Sequence, residues 1–439
     1  MKIKQNSYAW HMIVSLSTRV SMIMLRLIRN IILARLLGPA DRGLFALLNT
    51  LPDLIAAVTS GGLNTAVGYQ AAKHKPMGIL LSQVLIYGCL LATLLTLFCV
   101  VILTTFGAKI SLVEQLGLWI WLLIPVVPIT VLKSGLLTLH NADGRVNIFN
   151  MLRLIESSAP LFLLIVIIYF WPKQILNAAL TSWVLGLAIV TMSGLFWLRR
   201  FHTFKLKWQP KDQSELLNFS AKSHPEILFQ QILARADYLF IAAILPVSAL
   251  GHYAMAVAAA ELLLIIPEAV TTPLMKRLLQ QDKQIEQMTP LALRVTATVM
   301  LFGCITLALI GHWLIITLFG IEYAPAYPAL VALLPGLFSL CYASILRLDL
   351  LGKGRPGTLS IFFGVGAFIS IVLNFVLIPK FGITGAAIST SIAYIVVTIL
   401  MLTMYCKLSG IPFYKTLRVT PSDIYNAIDN MKRANLENN

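Results

Sequence analysis

The sequence predicts an all-α polytopic membrane protein: twelve transmembrane helices arranged as two parallel six-helix repeats. Three observations carry that prediction. Of 439 residues, 58% are hydrophobic and only 12% charged, whereas soluble domains carry roughly a quarter charged residues. Apolar runs of about 20 residues, the length that crosses a bilayer core, recur along the whole chain with short connections. The second half repeats features of the first at an offset near 208 residues.

The apolar runs lie near 8–34, 43–70, 78–105, 116–139, 147–170, 176–198, 218–245, 251–275, 290–317, 327–350, 357–379 and 384–406. They group into a first bundle over 1–200, a linker over 201–217, a second bundle over 218–406 and a polar tail over 407–439. In the tail, Pro421-Ser422-Asp423 reads as a helix start, with Ile424, Ile428 and Met431 at helical spacing. With the N-terminus cytoplasmic, twenty Lys and Arg fall in inside segments and five in outside ones, of 34 in all. Cytoplasmic loops carry the excess of basic residues, so both termini are expected inside. The net charge of +16 therefore reads as an orientation signal and a contact for anionic membrane lipid, not as a nucleic-acid patch. Lys2 and Lys4 lead into a run that contains His11 and Arg19 and no small-residue cleavage site. The first span is thus expected to stay in the mature protein.

The most informative stretch is Ser17 to Ala46, a span-length helix carrying Arg19, Arg26 and Arg29, followed by a Gly38-Pro39 loop. An arginine at the centre of a span costs roughly 2.5–3.5 kcal/mol on insertion scales. Arg19 and Arg26 are about two turns apart and share a face, and Arg29 widens that stripe by about 60°. A cationic stripe inside a span implies either a wet cavity that receives an anion or interhelical ion pairs. The cavity is the stronger reading.

The repeat pairs Gly43, Phe45 and Ala46 with Gly251, Tyr253 and Ala254, and Asp53 with Glu261. Pro172-Lys173 parallels Pro379-Lys380, and Gly144-Arg145 parallels Gly354-Arg355. Six spans per half give both halves the same orientation. Transporters built this way place substrate between the repeats near the midplane. Spans 1 and 7 are then expected to line a cleft. Under the repeat Arg29 matches Asp237, which suggests opposite charge at equivalent depth across it.

Other intramembrane charges divide by depth. Lys133, Arg153, Lys222, Arg294 and Arg347 lie near cytoplasmic span ends, where long stems reach the interface. Lys222–Glu226 and Arg153–Glu156 have helix-pair spacing. Arg235 and Asp237 are deeper; Arg235 joins the cavity-lining candidates. Asp53, Asp237 and Glu261 read either as helix-to-helix ties to an arginine or as ion-coupling carboxylates. His224, before Pro225, reads as a polar helix-end residue. Gly61-Gly62, Pro52, Pro160, Pro225, Pro267 and Pro273 are local weak points where spans can bend. Trp119, Trp121, Trp171 and Trp208 fit an interfacial belt.

No enzyme signature is present: no phosphate-cradling loop, no Gly-x-Ser-x-Gly, no His-Glu-x-x-His and no zinc-spaced Cys/His set. The five cysteines all sit in apolar runs without a Cys-x-x-Cys pair. No cofactor or metal is expected.

The segment Ala34-Arg35-Leu36-Leu37-Gly38-Pro39-Ala40-Asp41-Arg42-Gly43-Leu44-Phe45-Ala46 resembles the first outer loop of the bacterial polysaccharide flippases. These are the oligosaccharide flippase or O-antigen translocase type of the multidrug/oligosaccharidyl-lipid/polysaccharide exporter superfamily. Asp237 with Leu250-Gly251-His252-Tyr253-Ala254-Met255-Ala256, and Thr272-Pro273, resemble the corresponding second-half segments. The resemblance implies a V-shaped, MATE-like pair of six-helix bundles in the bacterial cytoplasmic membrane. It implies an undecaprenyl-diphosphate-linked oligosaccharide as cargo, moved to the outer leaflet by alternating access for O-antigen, capsule or exopolysaccharide assembly. A polysaccharide polymerase and chain-length machinery are implied partners. Arginine suits a diphosphate because its planar fork matches phosphate oxygens. The rival readings are a peptidoglycan-precursor flippase, a multidrug or cation antiporter of the same fold, and a membrane polymerase or ligase. The antiporter would place acids in span 1, where this chain has arginines. The polymerase would need a long outer loop, which this chain lacks.

Overall fold

The polar backbone groups of a chain in lipid must be satisfied internally, and this chain does so with helices alone among its described residues. A computed structural model describes residues 2–60, 62–72, 76–106, 116–202, 210–268, 271, 285–353 and 355–412. Gly61, Thr272, Pro273, Gly354, the side chain of Lys222 and the tail helix expected from Pro421 lie outside what is described.

Lys2–Thr59 is one helix broken at Gly38 (φ 68°), giving α1 (2–37) and α2 (39–59). The break has a local cause. Pro39 has no N–H to offer the preceding turn, and Gly38 takes the left-handed conformation that other residues resist. After a turn α2 resumes as Leu63–Ala72. Span α3 runs from Met77–Gln83 through a π-helical stretch, Val84–Leu90, into Leu91–Phe106. Then come α4 (Gly117–Ala142), α5 (Val146–Phe170) and α6 (Ile175–Phe201). The second half holds α7 (Pro210–Ile244), α8 (Val247–Glu268), α9 (Ile285–Phe319) and α10 (Ile321–Gly352). Pro356–Ser409 is broken at Gly382, giving α11 (356–381) and α12 (383–409). Nine described helices are long and apolar enough to cross a membrane. Counting the broken final helix as two spans and adding α1 and α2 gives twelve.

Most helix packing falls within each half, and the main contact between halves is the helix pair α1–α2 against α8. In the first, α5 packs on α6, α1–α2 on α5 and α4 on α6. In the second, α10 and α7 pack on α11–α12, and α9 on α10. Large apolar side chains such as Phe98, Leu309 and Phe368 face outward, as lipid contact requires. Trp121 and Trp171 sit exposed near span ends.

The apolar cores show where the halves join. One buried cluster unites both halves near Gly38, with Leu33, Phe45 and Leu47 from one side and Leu250, Tyr253 and Phe319 from the other. At the opposite end, marked by Arg145 and Arg355, the cores are separate. Leu63, Leu80, Leu136 and Leu198 form one. Leu233, Tyr342, Leu359 and Val397 belong to the other. The two bundles are thus welded at the Gly38 end and diverge toward the Arg145 end, although Leu63–Ala72 still leans on α7.

The weld is polar as well as apolar. Arg35 donates to the carbonyls of Thr317 and, at 2.9 Å, Leu318, the last turn of α9. The Tyr323 hydroxyl donates to the Ala34 carbonyl at 3.1 Å. That carbonyl lies in the turn freed by the Gly38 break. His252 Nε2 lies 3.1 Å from the Glu322 carbonyl.

Two buried or half-buried glutamates tie helices together. Glu226 is buried and accepts from Arg347 at 2.8 Å, a tie between α7 and α10. Glu156 is 3.9 Å from Arg153, as its spacing suggested, but the shorter contact, 2.7 Å, comes from Lys133 on α4. A cation on a facing helix approaches each of these two carboxylates.

Candidate functional site: a polar cavity between the halves

Between the bundles, beneath the weld, lies a cavity of about 480 Å³. α1 contributes Ile23, Arg26, Arg29 and Asn30; α2 contributes Arg42, Asn49 and Asp53; α4 and α5 contribute Lys133 and Glu156. The second half contributes Arg235 and Tyr238 from α7, and Glu261 and Glu268 from α8. The sequence dictates this convergence. Arg26 and Arg29 share one face of α1. Residues 42, 46, 49 and 53 recur at the helical period on α2, and 254, 258, 261, 265 and 268 do so on α8.

The ionised groups differ in how they are held. Arg235 Nη2 donates to Glu261 Oε1 at 3.0 Å and its guanidinium lies 5.7 Å from the Tyr238 ring. Arg19 sits outside the lining but its guanidinium is 3.7 Å from Glu268, at the cavity's edge. Glu156 is shared by Lys133 and Arg153. Arg42 is buried, donates to Asn30 Oδ1 at 3.2 Å and lies over Phe45 at 5.5 Å. Arg26 and Arg29 have no ion-pair partner among the described residues, and the Nε of Arg29 is buried without a hydrogen-bond acceptor. Asp53 is exposed on the cavity wall and is likewise in no ion pair among the described residues.

Of the residues singled out in the sequence, the cavity gathers Arg26, Arg29, Arg235, Asp53 and Glu261, with Arg19 at its edge. It does not gather Asp237. That carboxylate is turned into the second bundle, where the Tyr253 hydroxyl, the Tyr238 amide at 2.9 Å and Thr390 at 3.3 Å bond it. Arg29 and Asp237 therefore do not oppose each other across the cleft. Asp237 is two residues beyond Arg235, about 200° around the helix, so the two leave α7 on opposite faces. The lining residues that the sequence does not assign to the cavity are Arg42, Glu268, Lys133, which reads as a span-end anchor, and Glu156, which reads as a helix-pair partner. Arg42 had the look of a loop residue, yet it shares the α2 face of Asp53. Glu268 lies seven beyond Glu261, again on one face.

The arrangement is chemically specific. Unpaired guanidinium groups in a recess between two bundles suit a multivalent anion with phosphate-like oxygens. The accompanying carboxylates, amides and aromatic rings suit hydroxyl-rich groups beside it. Among the described residues no group of His, Cys, Asp and Glu is arranged to hold a metal ion.

Comparison with known proteins agrees with this architecture. The solved structure of a lipid II flippase, MurJ, in an inward closed conformation superposes with TM-score 0.71 at 16% identity, over 92% of this chain and 89% of that one. An inward-facing multidrug resistance MATE family transporter of the MOP superfamily gives 0.64 at 16% identity, over 91% and 98%. These likenesses establish the fold. The uncharacterized membrane protein MJ1068 of Methanocaldococcus jannaschii is 38% identical over 91 residues, 21% of this chain and 18% of that protein. The match thus spans less than a fifth of that relative's length. The sequence pattern of the family described as "Polysaccharide biosynthesis protein" matches residues 32–328, from the end of α1 into α10. A multi-pass membrane protein with a flippase and transporter fold, the chain belongs to the polysaccharide biosynthesis protein family.

Proposed function

We propose that the protein flips a diphosphate-linked lipid oligosaccharide across the bacterial cytoplasmic membrane by alternating access, for assembly of a surface polysaccharide. The observation that carries this reading is the pair Arg26 and Arg29, free of ion pairs among the described residues, in a cavity shared by both halves. Each guanidinium there has donors to spare for the bridging and terminal oxygens of a diphosphate. Cargo of the undecaprenyl-diphosphate class leaves its tail in lipid while the charged and sugar portions enter between the bundles. The basic-residue bias sets the Arg145 end on the cytoplasmic side, with both termini there. The weld at Gly38 then faces outward, and the cavity is in its cytoplasm-loading form. Membership of a polysaccharide biosynthesis family supports a sugar cargo. A fold shared with a lipid II flippase supports a lipid-linked one. A polymerase and chain-length machinery would take the product on the far side.

The test is complementation in a strain that lacks its own flippase. Arg26→Ala, Arg29→Ala should insert at wild-type level and abolish surface polysaccharide. Normal polysaccharide from that double variant would overturn the reading.

A further inference from the structure

Three carboxylates on the cavity wall are engaged by cations, and they are engaged differently. Glu156 is held by two partners, Lys133 and Arg153. Glu268 meets Arg19 at 3.7 Å, at the edge. Glu261 meets Arg235 through a single contact, Nη2 to Oε1 at 3.0 Å. The side chains of that pair are 32% and 43% exposed. This differs from the buried tie Arg347–Glu226, whose carboxylate is 9% exposed. Arg235, a lining residue of the cavity, therefore offers one nitrogen to Glu261 and has further donors to give.

The repeat makes the pair more pointed. Asp53 occupies the position of Glu261 in the first half, but the counterpart of Arg235 there is Leu27. Only the second half builds the tie. The first half leaves Arg26 and Arg29 open instead. A multivalent anion seated on Arg26 and Arg29 lies in the same cavity as Arg235. It brings more charge and more acceptor oxygens than one carboxylate can.

We infer that Glu261 is an internal stand-in for the cargo's phosphate: it holds Arg235 while the cavity is empty and releases it to the incoming anion. This rests on the anionic cargo proposed above. The exchange removes one of the ties between α8 and α7, the buried Tyr253–Asp237 bond remaining as a pivot, and frees Glu261. Gly251 sits on the same helix, ten residues away, about 15 Å along its axis. It forms part of the weld at the Gly38 end, as its contact with Pro39 shows. Loading the cavity thereby loosens the helix whose other end keeps the far side shut. Glu261 is a positioning residue in this scheme, not a ligand of the cargo.

The test uses the full-length chain in lipid nanodiscs, with geranyl diphosphate as probe and calorimetric titration as readout. An exposed ion pair contributes little, so removing the competitor in Glu261→Gln should tighten binding by roughly two- to fivefold. Glu261→Asp, which keeps the charge, should restore wild-type affinity. Arg235→Gln should weaken binding, and in that background Glu261→Gln should have no further effect. Thermal unfolding of each variant separates a binding change from misfolding. If the wild type binds the probe and Glu261→Gln binds it equally or more weakly while folded, the exchange is wrong and the cargo reading stands. If the wild type and Glu261→Gln both ignore the probe, the cargo reading falls and takes the exchange with it.

Discussion

Gly43 and Gly251, equivalent positions of the two repeats, press reciprocally against each other's helix. A Cβ on Gly43 would strike the Val247 carbonyl oxygen, and a Cβ on Gly251 would strike the Pro39 carbonyl oxygen. Val247 and Pro39 each stand four residues before the opposing glycine. The pseudo-two-fold axis therefore passes between α2 and α8 at this crossing, and the close approach exists because neither position carries a side chain.

Backbone cannot step aside as a flexible side chain can, so Gly251→Ala should hold the Gly38 end ajar. Overpacking of this kind costs about 1–3 kcal/mol. The check is a cysteine placed at Ala34, which is buried in the weld, in a background without other cysteines. A membrane-impermeant maleimide should label it faster in Gly251→Ala than in the parent. Unchanged labelling would show that α2 and α8 do not set the closure.

Arg35→Ala should weaken the same end by a different route. It removes two donors from the last carbonyls of α9, where a cation also complements the helix dipole. Hydrogen bonds to charged groups contribute about 1.5–3 kcal/mol. Labelling of the Ala34 cysteine should again rise, and Arg35→Lys should recover only part of the protection, because one ammonium cannot match the two-nitrogen fork.

At the other end, Asp143 is clasped by Arg145 and by His202 at 2.9 Å. Arg145 also lies over the Phe201 ring at 3.7 Å. Burial works against the charged carboxylate, but the hydrogen bonds from His202 and Arg145 outweigh it and hold Asp143 below its ordinary range. A depressed carboxylate stabilises the fold above its unfolded pKa, and that contribution is lost as pH falls through the folded value. Acid titration of thermal stability should therefore show a loss in the wild type, below the usual aspartate range, that is absent in Asp143→Asn.

The α7–α10 tie gives a stability test away from the cavity. Glu226→Gln leaves Arg347 without its carboxylate and should cost about 1–3 kcal/mol, since Arg347 is itself partly exposed and retains some solvation. Replacing both, Glu226→Gln with Arg347→Met, should recover much of the loss. Thermal denaturation in detergent measures both variants.

Much of this was legible from residue order. Span length and charge depth located α1 and its arginines, and the offset of the repeat paired Gly43 with Gly251 before any contact was known. What remained hidden was helix rotation. Membrane helices are apolar nearly all round, so periodicity fixes poorly which face meets which neighbour. Depth alone puts Asp237 at the cleft, whereas it turns inward, and spacing along one helix does not reveal the facing cations Arg347 and Lys133. Arg42 was counted with a loop because Gly38-Pro39 announced a turn. The turn is one residue wide, and α2 has already begun at Arg42.

The shared apolar cluster near Gly38 carries a thermodynamic consequence. Any parting of the bundles there must separate Leu33, Phe45, Leu250 and Phe319, and wetting such surface costs about 25 cal/mol per Å². If the protein works by the proposed alternating access, this cost acts as a spring that keeps the Gly38 end shut and makes its open form sparsely occupied in the absence of cargo.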